Sequence, residues 1–157
     1  MFQFTGGRLL HSVFPTCTDE LAQAATRFAE QANDDDLKFL LDIFCNYRGE
    51  PPLHAVAKAI VKKLSEDDVR LGSVEILLEN TGVVSGEFGM VEAMRERKAL
   101  MVEWLNDDDS QIQTFARRCI RHLDNRIATE QRGAENAEGE TQAGLRTVVL
   151  FSNASAA

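Results

Sequence analysis

The chain has 157 residues, of which 44% are hydrophobic and 27% charged, and its formal net charge is −8. That length suits one domain whose core needs no metal or disulfide staple. The negative balance argues against broad phosphate binding and against anionic membrane surfaces, and favours solubility and a basic partner.

In chain order, Leu9, Leu10, Val13 and Phe14 make a short apolar stripe. Gly6-Gly7 before it and Pro15 after it limit it to a turn or two, so residues 1–15 read as a short helical remnant or cap. Thr18 offers an N-cap, with Asp19 and Glu20 in the first turn, to a helix whose inner face is Leu21, Ala24, Ala25, Phe28, Ala29 and Ala32. After Asn33-Asp34-Asp35-Asp36, the positions Leu37, Leu40, Leu41 and Phe44, widened by Phe39 and Ile43, predict a helix buried on two sides. Gly49 is its expected C′ residue.

Pro51-Pro52 open the next helix, striped by Leu53, Val56, Ala57, Ile60, Val61 and Leu64. Ser65-Glu66-Asp67-Asp68 turns into another, carrying Val69, Leu71, Val74, Leu77 and Leu78 and tolerating Gly72. The loop VVSGEFG, residues 83–89, precedes a helix with Met90, Met94, Met101, Trp104 and Leu105 on one face. The last firm helix uses Ile112, Phe115, Ala116, Cys119, Leu123 and Ile127. Residues 16–132 thus form the helical domain. From 133 to 157 the composition turns small and polar, predicting a disordered tail in which residues 145–152, LRTVVLFS, are a lone apolar run fit for a strand or a docking segment.

Three acidic turns, beginning at Asn33, Ser65 and Asn106, are spaced by 32 and 41 residues and each joins two amphipathic helices. Such periods point to helical repeats. Asp67-Asp68-Val69-Arg70, and Asp107-Asp108-Asp109 followed by Ile112 and Arg117, resemble the turn inside HEAT repeats. Residues 80–131 are similar to the final repeats of HEAT-like solenoids in larger bacterial proteins, and the resemblance extends over about residues 18–132. It implies an all-α fold, a short right-handed α-solenoid of about three antiparallel helix pairs, used as a scaffold or protein-binding surface. It also raises the expectation of a fragment of, or a subunit beside, a larger protein. The sequence departs from the family at Gln113, where Arg is expected, and in the truncated first helix.

The tempting chemistry fails on spacing. As a calcium loop starting at Asp34, position 5 is Lys38 and position 12 is Cys45; starting at Asp107, position 12 is Arg118. Helix caps are the better reading of these acids. Cys119 and His122 are three apart, but His11 and His54 lie on other helices, short of a structural zinc set. Cys17, Cys45 and Cys119 form no CxxC pair and read as reduced, buried thiols. There is no GxSxG elbow, and Gly82, Gly86 and Gly89 lack the Lys-Ser/Thr ending of a phosphate loop. No catalytic, cofactor or metal residue is therefore assigned, and the chain is expected not to be an enzyme. Without a signal peptide or a run of roughly 18 apolar residues, the cytoplasm is the default location.

Two features are left for partner binding. Arg117, Arg118, Arg121 and Arg126 form a basic ridge on the last helix, and Glu87 and Phe88 sit in the long loop. The plain alternative for the ridge is a solvated face partly paired with acids. Nucleic acid is its second use, disfavoured by the net charge and by the lack of interleaved aromatics. Oligomeric state is not readable from the sequence.

Overall fold

A computed structural model describes residues 3–47, 49–85 and 89–154, with side chains placed for 7–47, 49–85 and 89–133. Among the described residues the protein is all-helical, without a strand: α1 (Gln3–Val13), α2 (Asp19–Gln31), α3 (Asp34–Phe44), α4 (Pro51–Val61), α5 (Arg70–Glu79), α6 (Gly89–Glu103), a 3-10 turn (Trp104–Asn106) and α7 (Ser110–Ala154). No helix among these residues is long and apolar enough to cross a membrane.

The acidic turns act as helix caps and as cross-links. Asn33 Oδ1 accepts from the amides of Asp35 and Asp36, at 2.9 and 3.0 Å, and Asp36 accepts back from the Asn33 amide. This reciprocal box satisfies the orphan N–H groups that open α3. At the second turn, Asp68 accepts from the Arg70 amide and from its guanidinium, and Arg70 also reaches Asp34 at 2.9 Å, tying the first two turns together. At the third, Asp109 caps the Gln111 amide at 2.9 Å while Asp107 takes Lys58 of α4 at 2.7 Å.

The helices pack one beyond the next: α1 on α3, α3 on α5, and α2 on α4. The helices α6 and α7 pack on each other, and α7 also meets α4. Leu53, Val56, Ile60, Val74 and Leu78 are fully or almost fully buried between them. The 3.6-residue stripe of α7 is buried as its spacing predicts, from Ile112 through Leu123 to Ile127. Trp104 is buried in the 3-10 turn that follows α6, where its indole N–H donates to His54 Nδ1 of α4 at 3.0 Å.

At the opposite ends of the helices, three loops hydrogen-bond in sequence. The Tyr47 hydroxyl donates to the Phe14 carbonyl at 2.8 Å, and the Asn80 side chain donates to the Tyr47 carbonyl at 3.0 Å, both across 33 residues. The Cys17 amide donates to Glu50 at 3.0 Å across the same interval of 33. Glu50 is the N-cap residue of α4 but its side chain makes no cap bond: Pro51 and Pro52 offer no N–H, and the Leu53 amide donates to the Glu50 carbonyl.

Several expectations are corrected. The first helix is a full 11 residues and runs through Gly6-Gly7. Gly7 is useful there because α1 crosses α3 closely: a Cβ would come within 3.1 Å of the Asp42 carbonyl oxygen and 3.2 Å of Ile43 Cα. Residues 133–154, expected to be disordered, continue α7, and the apolar run at 145–152 lies within that helix rather than in a strand. The segment is free of proline and contains the helix formers Ala, Glu and Gln between its glycines. On α2 the buried face is Ala22, Ala25 and Ala29, while Ala24 and Phe28 are exposed. Val69 lies in the turn before α5 and is exposed. Cys17 and Cys119 are buried, but Cys45, at the end of α3, is exposed.

Candidate functional site

The arginines of α7 do not form one ridge. Glu75 and Glu79 lie one turn apart on α5, and both are buried, at 8% exposure. Arg118 donates through Nε and Nη2 to Glu75 Oε2 at 3.2 and 3.0 Å, and Arg126 donates to Glu79 Oε2 at 2.6 Å. Between them, one turn from each, His122 Nδ1 lies 2.7 Å from Glu75 Oε1 and 3.2 Å from Glu79 Oε1. The stripe 118, 122, 126 thus belongs to a polar seam between α5 and α7. Arg117, by contrast, is exposed and donates to Gln113, and Arg121 is exposed. Charge along a helix is legible in sequence, but which arginines are spent on a neighbouring helix is not.

This division has a measurable consequence. Arg126→Ala strands a buried carboxylate that His122 only partly compensates, and is expected to destabilise the fold by about 1–2 kcal/mol. Arg117→Ala and Arg121→Ala are expected to stay within about 0.5 kcal/mol of wild type in the same urea titrations.

Cys119 and His122 do not act together. Cys119 faces the core, where burial pushes its thiol far above the ordinary range, and His122 faces the glutamates. Glu87 and Phe88 lie outside the described residues. Beside them, Gly82 has φ of 69°, a left-handed conformation that favours glycine, and its amide donates to the Asn80 side chain. The neighbouring Val83 projects almost fully into solvent.

A surface that the sequence reading missed lies across α2 and α4. A hollow of about 370 Å³ opens between Ala22 and Thr26 on α2 and Pro51, Pro52 and Ala55 on α4. A second, of about 360 Å³, shares Thr26 and Ala55 with it and continues to Ala59 and Lys62. A third shares Ala55 and Lys58 with the second and reaches Leu100 and Trp104. Together they make one groove with a floor of small side chains and a rim of charged ones. The signal was present in the sequence: Ala22 and Thr26, and Ala55 and Ala59, are small-residue pairs at i, i+4.

No protein-family model, curated protein or solved structure matches this chain.

Proposed function

We propose that the chain is a non-enzymatic helical-repeat module, a short right-handed HEAT-like solenoid that binds a protein partner, including the remainder of a larger assembly. The row α1–α3–α5, the packing of α2 on α4 and the 33-residue step between loop hydrogen bonds support the repeat reading. The observation that carries the binding role is the continuous groove over Thr26, Ala55 and Lys58. Its small-residue floor leaves room for a partner's side chains, and its mixed rim of Arg27, Glu30, Lys62 and Lys63 supplies polar contacts to fix orientation. The arginine helix is the weaker surface, because Arg118 and Arg126 are already paired.

Ala55 is exposed, so Ala55→Trp fills the groove without entering the core. With the wild-type chain immobilised in an extract of its own cells, specific proteins are expected to be retained. Ala55→Trp should lower that retention about tenfold with an unchanged circular dichroism spectrum. Equal retention by both chains overturns the groove. Retention abolished by nuclease treatment assigns the binding to nucleic acid instead.

A further inference from the structure

We propose that Glu75, Glu79 and His122 form a site for one divalent transition-metal ion of the zinc type, joining α5 to α7. Each of Glu75, Glu79 and His122 offers one ligand atom, and these atoms all lie within 4.8 Å of one another. The His122 nitrogen is 2.7 and 3.2 Å from the two oxygens, close to the roughly 3.3 Å that separates ligands around tetrahedral zinc at about 2.0 Å.

The unpartnered Glu79 oxygen points to an ion. Glu79 has a side chain only 7% exposed, and its Oε1 is buried without a hydrogen bond. A proton on His122 Nδ1 can point at one acceptor, and the 2.7 Å contact gives it to Glu75. The Glu79 oxygen is then left near the imidazole but unaligned. A cation between the three atoms satisfies all of them at once. The outer oxygens are already held: Arg118 takes Glu75 Oε2 and Arg126 takes Glu79 Oε2, so both carboxylates are oriented with Oε1 inward. Such outer partners are a regular part of metal sites.

The donor set selects the class of ion. One imidazole with two carboxylates suits zinc and its neighbours, whereas calcium and magnesium require six or more oxygen ligands. The ring of His122 is half exposed, so ions can enter from solvent and water can complete the shell. The two guanidiniums offset the charge of the carboxylates, which holds the affinity below that of an unflanked trio. Cys119, one turn away, is fully buried and faces the core, so the site is a nitrogen and oxygen site without thiolate.

Zinc chloride titrated into the metal-free full chain at neutral pH, in competition with a chromophoric chelator, should show one ion per chain. Occupancy should also raise the melting temperature, since the site exists only in the folded state. His122→Ala, on an exposed ring, and Glu79→Gln, which is isosteric, should each weaken binding at least about tenfold with an unchanged circular dichroism spectrum. Cys45→Ser should bind as wild type. Cobalt in place of zinc should give weak visible bands without the near-ultraviolet charge-transfer band of a cobalt thiolate. Absence of saturable binding at millimolar zinc overturns the proposal. Binding that survives both variants, or that Cys45→Ser removes, overturns it equally.

Discussion

Gly49→Ala is expected to destabilise the protein by about 3 kcal/mol, lowering its melting temperature by about 6–12 °C. A Cβ at Gly49 overlaps the Leu78 carbonyl oxygen and lies 2.8 Å from its carbon. Both belong to the backbone of α5, which cannot step aside like a flexible side chain. The Gly49 amide also donates to the Asn80 carbonyl at 2.9 Å, so relief of the overlap stretches a buried hydrogen bond. Gly72→Ala serves as the opposite case. Nothing lies within 4 Å of its would-be Cβ inside α5, so this change is expected to stabilise by about 0.5–1 kcal/mol. Thermal unfolding of the two variants side by side tests the assignment. A neutral Gly49→Ala removes the close approach between the loop and α5.

Acid should weaken the protein through His54 before it titrates the carboxylates. Burial, then Arg97 and Lys58, push the His54 imidazole down from 6.5 to about 4. The neutral ring accepts the Trp104 indole hydrogen at Nδ1, and a proton there turns that acceptor into a second donor. Between pH 6.5 and 4 the unfolded chain therefore binds more protons than the folded one, and stability falls as pH is lowered through this window. The full effect is roughly 3 kcal/mol. His54→Gln retains an acceptor for Trp104 without titrating, so its unfolding free energy should stay nearly flat over the same interval. A flat wild-type profile contradicts the assignment. A separate loss follows at lower pH, because the Arg70 hydrogen bonds hold the Asp68 carboxyl down to about 2, so its contribution disappears only as pH falls from about 4 toward that value.

The helices were legible in sequence where an apolar stripe met a cap. Thr18, Asn33 and Pro51 mark starts that the structure places within a residue, because capping and the missing proline N–H are local chemistry. Packing between distant elements was not legible. Gly49 was expected to provide a left-handed C′ residue, yet among the described residues only Gly82 has positive φ; Gly49 is required by the backbone of α5, 29 residues further on. Glu75 reads as an ordinary helix acid until α7 brings Arg118 and His122 to it across 43 and 47 residues. The groove depends on two short-side-chain pairs facing each other, and each pair alone is unremarkable in a sequence. The 33-residue step escaped notice because its acceptors at Phe14 and Tyr47 are main-chain carbonyls, which leave no signature in residue identity.

That step sets a rule for changes in chain length. One residue inserted between Tyr47 and Asn80 within a helix rotates everything after it by about 100°, carrying the donor away from its carbonyl. A deletion within a helix between these loops is expected to break the same bond. Past Gly82 the constraint lifts, since Val83 and Ser85 are exposed and free to lengthen. The molecule is therefore expected to tolerate a change of length more readily just beyond Gly82 than between Tyr47 and Asn80.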